Sequence, residues 1–209
     1  MKAARENKCK RVVITSSTAS ITVTHKKATK VYFSEEDWSD LSHCNPYEKS
    51  KTMAEKAAWD FLEALPDNEK FELVSLNPSL ILGPNMVTEE FTSGDFIRKL
   101  MTGAIPGMPK VTLPIVDVRD AAKAHLQALK VPEAANKRFI ICSRTLWMKE
   151  IAEILKKEFS ANYKINTSEL KLVVMKVGAC FDKSAKMLLP KWKKVYEFDH
   201  TLSEKILKI

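Results

Sequence analysis

Glycine is scarce in this chain, which has only five glycines among 209 residues and no G-x-x-G-x-x-G pattern. Glycine-rich turns of that kind allow a backbone to approach a dinucleotide pyrophosphate at the N-terminus of a helix. The sequence therefore predicts that these residues do not include such a phosphate-binding turn.

Cysteines and long apolar runs are also few. The four cysteines show neither a C-x-x-C pattern nor a metal-ligand spacing, so no metal site is predicted. The first residues contain no apolar h-region, and no apolar run approaches the length of a membrane span. We therefore expect a cytoplasmic protein with reduced thiols and no membrane partner.

The charge is unbalanced, with 34 Lys and Arg against 26 Asp and Glu and a formal net charge of +8. The basic residues are scattered, without a basic helix or interleaved aromatic residues, so we expect a solvated lysine-rich surface and no nucleic-acid partner. Such a surface would also help to attract a phosphorylated cofactor. The hydrophobic fraction of 45% suits one core, or a core and a small lobe.

A strand–helix–strand order is the main pattern in the first half of the chain. Residues 11–16 are a β-branched run, an Asn-Pro helix-start signal opens a helix at about 46–64, and residues 71–76 are a second apolar strand. This order predicts a parallel pair joined by a right-handed crossover, and hence an α/β fold.

Weaker patterns predict the remaining elements. They are a polar helix end at 1–10, a long loop at 18–44, a helix near 93–102, strand pieces at 111–118, a helix capped by Asp at 120–129, a strand at 138–142, a helix at 146–159 and a strand near 163–165.

Tyr47 and Lys51 are four residues apart and hence one turn apart on the predicted helix. A neighbouring ammonium and the helix N-terminus favour phenolate, which would lower the tyrosine pKa from its usual value of about 10. The pair could then act in acid–base catalysis. In the alternative interpretation the spacing is a coincidence, and both stems only cover the surface.

A series of residues recurs along the predicted helix at three- and four-residue steps, which predicts one inward face. Its members are Tyr47, Lys51, Ala54, Ala58, Phe61 and Leu65. A hydroxyl cluster, Thr15-Ser16-Ser17, ends the first strand. In open α/β sheets ligands bind at the carboxyl ends of strands, so this cluster is a candidate partner for the pair.

Seven motifs in order carry a resemblance to a known family. They are RVVITSS (11–17), EEDWSDL (35–41), PYEKSKTMAEKAAWDF (46–61), NPSLILGP (77–84), IPGMP (105–109), VDVRDAAKAH (116–125) and VYEFD (195–199). The chain resembles an extended short-chain dehydrogenase/reductase of the NAD-dependent epimerase/dehydratase family. Within it, the chain is similar to the dihydroflavonol-4-reductase-like and NADPH-dependent aldehyde or ketone reductases.

The resemblance implies a fold and a division into domains. It begins about halfway along the family's nucleotide-binding domain, without the glycine-rich part. We therefore expect a partial Rossmann-type parallel sheet with helices, formed by 1–84 and 113–143. A small mixed substrate lobe would comprise 85–112 and 144–209. The implied cofactor is NADP(H), with NAD(H) possible and binding weak, and the family often forms homodimers.

The resemblance also assigns catalytic roles. Tyr47 matches the proton donor to a substrate carbonyl, and Lys51 matches the lysine that binds the nicotinamide ribose. Ser17 matches the residue that hydrogen-bonds the carbonyl oxygen, with Ser16 as the alternative.

Further positions match cofactor contacts or scaffold. Pro78 and Ser79 match a strand end that contacts the nicotinamide carboxamide, although Asn-Pro is also a turn signal. Ser93 falls where related reductases place a cofactor-contacting serine. Another motif contains Asp117, Asp120 and His125, and its pattern predicts a structural role: a cap, a buried polar bond and a histidine on a helix face.

Three functions are compatible with this resemblance. The first is NAD(P)H-dependent reduction of a small-molecule aldehyde or ketone. Thr22 stands where plant dihydroflavonol reductases usually carry an asparagine, which argues against a flavonoid substrate. The second is epimerase or dehydratase chemistry on nucleotide sugars. The third is a truncated, catalytically inactive remnant, since the pyrophosphate turn is missing.

Overall fold

The computed structural model describes residues 1–24, 32–85 and 92–209. In chain order its helices and strands are α1 Lys2–Glu6, β1 Arg11–Thr15, β2 Tyr32–Phe33, α2 Pro46–Glu63, β3 Glu72–Pro78, β4 Leu80–Leu82, α3 Thr92–Met101, β5 Thr112–Asp117, α4 Val118–Lys130, β6 Lys137–Ile141, β7 Arg144–Trp147, α5 Met148–Phe159, α6 Leu172–Gly178, α7 Lys183–Leu188, β8 Glu197–Phe198 and α8 Thr201–Leu207. The predicted loop at 18–44 and the predicted lobe segment at 85–112 both include residues that lie outside the described ranges.

The chain divides into two units. The first comprises Met1–Ile81, Val116–Ser143 and Glu197–Ile209, and the second comprises Leu82–Ile115 and Arg144–Tyr196. The sequence assigned all of 144–209 to the lobe, and this was wrong for the last thirteen residues, Glu197–Ile209. Leu207 of α8 is fully buried in the apolar core of the first unit. Because this burial is favourable, residues 197–209 pack with the first unit.

A parallel sheet with the order β1-β3-β6 forms the centre of the first unit. Val13 lies opposite Val74, and Leu76 lies opposite Phe139. Because parallel neighbours cannot be joined by a tight hairpin, α2 crosses over between β1 and β3. The predicted α/β class and the parallel sheet are confirmed.

The core of the first unit lies against this sheet. Leu76, Phe139 and Ile141 have almost no exposed surface and pack with α4 and α8. A small parallel ladder of β2 and β8 pairs Phe33 with Phe198, whose ring centroids are 6.0 Å apart. Apolar burial of this kind is the main favourable contribution to folding.

The second unit has its own apolar core, formed by α3, α5 and the segments beside them. Leu100, Met108, Val111 and Met148 are buried together there. Strands β5 and β7 pair antiparallel, with Thr112 opposite Trp147.

Gly103 ends α3 with a φ of +72°, and a Cβ there would lie 2.8 Å from the Lys164 carbonyl oxygen. The turn after α3 therefore requires glycine.

Three local predictions were wrong. The helix expected to begin at Leu146 begins at Met148, because the residues before it pair with β5. No strand is present near 163–165, where buried Ile165 lies in irregular backbone. The helix expected at 120–129 begins at Val118, because its cap is Asp117, whose Oδ1 accepts from Arg119 N at 2.8 Å.

Within the described ranges, no helix combines the length and the apolar character needed to cross a membrane.

Candidate active site

The first turn of α2 is fixed by the side chains that cap it. Asn45 Oδ1 accepts from the Glu48 backbone N–H at 3.0 Å, and Glu48 Oε2 accepts from the Asn45 backbone N–H at 2.9 Å. Such a capping box satisfies two of the amides that have no partner inside the helix. The predicted helix start is confirmed, and it places Tyr47 in the first turn.

Lys51 reaches from α2 to the carboxyl end of β1. Its Nζ donates to the Thr15 carbonyl oxygen at 3.3 Å. The helix also packs against a 3₁₀ turn, Thr18–Ser20, that follows Ser17 directly. The structure thus brings the lysine to the strand end that carries the hydroxyl cluster.

The two candidate serines have different surroundings. Ser16 is buried, and its Oγ donates to Glu55 Oε2 at 2.5 Å. Ser17 is half-buried, and its Oγ accepts from Ala19 N at 3.1 Å as the N-cap of the turn. Among the described residues, no acceptor takes the Ser17 hydroxyl proton. Of the two, Ser17 is the hydroxyl that can still donate to a ligand.

The predicted inward face of α2 was wrong for Tyr47 and Ala54 but is confirmed for Ala58, and for Leu65 just after the helix, which are both buried. Its buried side chains are Glu48, Thr52, Glu55 and Ala58. Tyr47 is 54% exposed, and Ala54 is exposed as well. The periodicity does not reveal the buried face of the first turns, because polar side chains occupy that face and a hydrogen-bond network compensates for their burial.

Glu55 is the centre of that network. Its side chain has no exposed surface, and Oε1 accepts from Arg138 Nε at 2.7 Å. Burial raises the pKa of the Glu55 carboxyl, but the Arg138 hydrogen bond and charge, together with the hydrogen bonds from Ser16 and Ser20, outweigh it, and the net pKa lies below its usual value. The residue therefore stays ionised inside the protein.

The partners of Oε2 complete the network. The oxygen lies 2.5 Å from Ser16 Oγ, 2.6 Å from Ser20 Oγ and 2.8 Å from Asn77 Nδ2. Neither Glu55 nor Arg138 is among the site residues predicted from the sequence. For Glu55, the available signal was a charged residue four positions after Lys51, within the family motif at 46–61.

Arg138 also holds the segment that carries the EEDW motif. Its guanidinium carbon lies 3.7 Å from the centre of the Trp38 ring, and Nη1 donates to the Asp37 carbonyl oxygen at 2.8 Å and to that of Glu35. Glu35 Oε1 accepts from Ile140 N at 3.1 Å, and burial raises the pKa of its carboxyl. One arginine thus joins α2, β6 and this segment.

Pro78, Ser79 and Ser93 are the remaining predicted site residues. Pro78 ends β3, and Ser79 follows it, buried, with its N and Oγ donating to the Ile141 carbonyl oxygen at 3.0 and 3.2 Å. Ser93 lies in the first turn of α3 in the second unit. The cofactor contacts assigned to these three residues stay predictions.

His125 connects α4 to the same strand end. Its Nδ1 lies 2.7 Å from the Ala121 carbonyl oxygen and its Nε2 lies 2.8 Å from Thr15 Oγ1. Because a carbonyl oxygen only accepts, Nδ1 donates, and in the neutral ring Thr15 donates to Nε2. Asp117 caps α4, and hydrogen bonds from Arg119 hold the pKa of its carboxyl at about 2.

No cluster of three His, Cys, Asp or Glu side chains suited to a metal ion is found in the part of the chain that the structure describes. The candidate site consists of the hydroxyls at the end of β1, the Lys51 ammonium that reaches them and the Tyr47 phenol in the first turn of α2. Together with the parallel sheet, this composition is typical of a Rossmann-type nucleotide-binding protein.

Comparison with known proteins supports that class. The family model of the NAD dependent epimerase/dehydratase family matches residues 1–142, and the chain belongs to this family.

Two curated relatives are reductases. The chain is 33% identical over 217 residues to the NADPH-dependent methylglyoxal reductase GRE2 of Saccharomyces cerevisiae, covering 95% of this chain and 64% of that protein. It is 36% identical over 161 residues to cinnamoyl-CoA reductase 2 of Arabidopsis thaliana, covering 75% of this chain and 47% of that protein. The chain thus spans about half to two thirds of the length of such relatives.

Solved structures show the same fold. The crystal structure of Gre2 from Candida albicans in complex with NADPH superimposes with a TM-score of 0.75 at 30% identity. The match covers 100% of this chain and 62% of that chain. The predicted family and the Rossmann-type fold are confirmed by these comparisons.

Proposed function

We propose that this chain carries the catalytic residues of an NAD(P)H-dependent aldehyde or ketone reductase, with Ser17, Tyr47 and Lys51 as its triad. The observation that carries the proposal is the hydrogen bond from Lys51 to the Thr15 carbonyl oxygen. Because this bond joins the turn of α2 that bears Tyr47 to the strand end that bears Ser17, the three residue types needed for the reaction share one region of the first unit.

Each residue has a task that its chemistry fits. When bound, the nicotinamide supplies the hydride for the substrate carbonyl carbon. Tyr47 donates a proton to the carbonyl oxygen, which contributes about 10²–10⁴ in rate for a well-placed general acid. Ser17 donates a hydrogen bond to the same oxygen, where charge develops during the reaction.

The residues present fit one half of the cofactor better than the other. The Lys51 ammonium is a suitable donor to ribose hydroxyls. Pro78 ends β3 and Ser79 follows it, at positions that match the family's contact with the nicotinamide. The chain contains no glycine-rich turn for the pyrophosphate. We therefore expect weak cofactor binding by these 209 residues alone.

Small carbonyl compounds are the substrates we propose, with NADP(H) as the cofactor. Two observations support this choice: Thr22 replaces the asparagine usual in flavonoid reductases, and the relative GRE2 is an NADPH-dependent methylglyoxal reductase. A second function, epimerase or dehydratase chemistry on nucleotide sugars, is compatible with the family as a whole. A spectrophotometric screen of aldehydes against sugar nucleotides separates the two.

The test is a fluorescence titration with NADPH of two proteins. One is the 209-residue chain, and the other is the same chain extended at its N-terminus with the preceding segment of Candida albicans Gre2. We expect the extended protein to bind NADPH at least about 100-fold more tightly, a difference of about 2.7 kcal/mol, and to reduce methylglyoxal.

Two results would contradict the proposal. Tight binding by the 209-residue chain would show that the phosphate contacts lie within it. An extended protein that binds NADPH but reduces no carbonyl would favour the inactive remnant.

A further inference from the structure

Glu55 lies on α2 one turn after Lys51 and two turns after Tyr47. Its carboxylate is wholly buried, and each of its two oxygens faces different partners. Oε1 faces Arg138 Nε, whereas Oε2 faces Ser16, Ser20 and Asn77. A buried carboxylate is costly unless it is paired and hydrogen-bonded, and here both oxygens accept hydrogen bonds.

The partners of Oε2 surround Ser17. Asn77 Nδ2 lies 2.8 Å from Glu55 Oε2 and 3.3 Å from the Ser17 carbonyl oxygen, so its two N–H groups can serve both. Ser20 Oγ lies between the same two oxygens, at 2.6 and 2.8 Å. The backbone of Ser17 is therefore one hydrogen-bonded residue away from the Glu55 carboxylate.

Arg138 fixes the orientation of the carboxylate from the other side. Its side chain is only 10% exposed, stacks on Trp38 and donates to the Asp37 carbonyl oxygen. With Oε1 held in this way, Oε2 has one direction left, toward the hydroxyl cluster. The ion pair thus aims the acceptor that the serines and Asn77 need.

We propose that Glu55 is a positioning residue for carbonyl reduction, which holds Ser17 at a fixed place relative to Tyr47 and Lys51. This inference rests on the function proposed above. A donor displaced by about 1 Å from a reacting atom can cost about 10²-fold in rate. A residue that sets the donor's place without touching substrate can therefore matter as much as a direct contact.

The competing explanation is that Glu55 serves only to neutralise Arg138. Two variants separate the positioning role from neutralisation of Arg138. In Glu55→Gln the amide oxygen can face either Arg138 Nε or Asn77 Nδ2, and the NH₂ group then faces the other donor. The double variant Glu55→Leu/Arg138→Met removes both buried charges and also removes the acceptor that Ser16, Ser20 and Asn77 share.

The first experiment is hydrogen exchange on the 209-residue chain, in Glu55→Gln, in Glu55→Leu/Arg138→Met and in the control Glu63→Gln. Glu63 is exposed and lies on the same helix. The reporters are the amides of Ser20 and Ile21, which donate to the Ser17 and Thr18 carbonyl oxygens at 3.0 Å each. Stability is measured in parallel by urea denaturation.

The proposal expects stability and loop order to separate. The double variant buries no unpaired charge, but it lacks the acceptor for the hydroxyl cluster. Ser20 and Ile21 should therefore still exchange at least about tenfold faster than in wild type and in Glu63→Gln, which corresponds to about 1.4 kcal/mol. Wild-type exchange at both amides in the double variant would reduce Glu55 to a charge partner and overturn the proposal.

Ser20→Ala covers the case in which Glu55→Gln does not fold. It keeps the Glu55–Arg138 pair and removes one hydroxyl between Glu55 and Ser17. Exchange at Ile21 should again rise with little loss of stability. Unchanged exchange would overturn the proposal.

Kinetics of the extended protein provide the second readout. In the double variant kcat should fall by about 10–100-fold, while KM for NADPH changes by less than about threefold, because Ser17 acts on the carbonyl oxygen. A kcat equal to that of Glu63→Gln would overturn the proposal. If wild type itself reduces no carbonyl, the proposed function fails, and the exchange experiment alone decides whether Glu55 orders the loop.

Discussion

Tyr47 lies in the first turn of α2 with 54% of its surface exposed, and Lys51 is fixed one turn later by its bond to Thr15. This difference matters for the roles we propose. An exposed phenol can meet a ligand from solvent, while the lysine is already held against the strand end. A phenol that donates a proton and an ammonium that binds ribose should therefore fail in different ways when they are replaced.

Replacing each of the two residues in the extended protein tests this directly. Tyr47→Phe should lower kcat by about 10²–10⁴-fold with NADPH affinity nearly unchanged, since only the proton donor is lost. Lys51→Met should weaken NADPH binding as well as lower kcat. Steady-state kinetics and cofactor titration measure both effects.

Matched controls are available in the chain. Tyr163 is 42% exposed in the second unit, and Lys49 is exposed on α2. Tyr163→Phe and Lys49→Met should behave as wild type. Full activity in Tyr47→Phe would remove this residue from the mechanism.

The lowered pKa of Glu55 has a consequence for stability against acid. Its folded-state pKa lies below the unfolded value of about 4.3, so its contribution is present above that pH and is lost as the pH falls through the lower folded value. The difference in unfolding free energy between wild type and Glu55→Gln should therefore shrink below about pH 4.

Urea denaturation of both proteins from about pH 3 to about pH 7 measures this difference. Glu63→Gln, which alters an exposed carboxyl, should show no comparable trend. A difference that is constant over the range would mean that Glu55 does not titrate with folding.

At the scale of elements, the start of α2 is held by two side chains. Asn45 and Glu48 form a reciprocal capping box that places Tyr47 and Lys51 on successive turns. The sequence predicted the cap correctly because capping is local and needs only residues three apart. It did not predict the buried face, because that depends on which segments pack against the helix.

Asn45→Ala should lower the free energy of unfolding by about 1 kcal/mol, since the Glu48 amide loses its acceptor. Asn68→Ala, at an exposed position in the turn after α2, is the control and should change stability by less than about 0.5 kcal/mol. Denaturant titrations of both variants give the comparison. Equal effects would show that the cap does not contribute to stability.

At the scale of the whole molecule, α2 presents an apolar patch to solvent. Met53 is 52% exposed, with exposed Ala54 and Ala57 beside it. In the described part of the sheet β1 is also an edge strand, and edge strands invite pairing with other chains. We propose a homodimer in which α2 takes part.

Sedimentation velocity at increasing protein concentration tests this association. Wild type should shift from the 23.7 kDa monomer toward a dimer. Met53→Lys should weaken the dimer at least about tenfold, because an ammonium would replace the apolar side chain in the dimer interface. Glu63→Lys, on another part of the same helix, should dimerise as wild type does. A wild-type monomer at all concentrations would contradict the proposal.

Motifs that are local in the chain were predicted well. The strand at Arg11–Thr15, the helix at Pro46–Glu63 and the parallel sheet follow from β-branched runs, caps and breaker positions, and the order of the motifs was enough for the family. Pairings between distant residues were missed, among them β7 with β5 and the return of α8 to the first unit.

The sequence by itself determined the α/β class, the family and the residues of the proposed triad, because these depend on residue types at short, fixed spacings. Only the tertiary structure decided that Ser16 is committed to Glu55, that Arg138 orients this carboxylate and that the buried stripe of α2 is polar. The physical reason is that a charged residue can be buried only when partners from distant segments satisfy it, and no spacing within one helix reveals those partners.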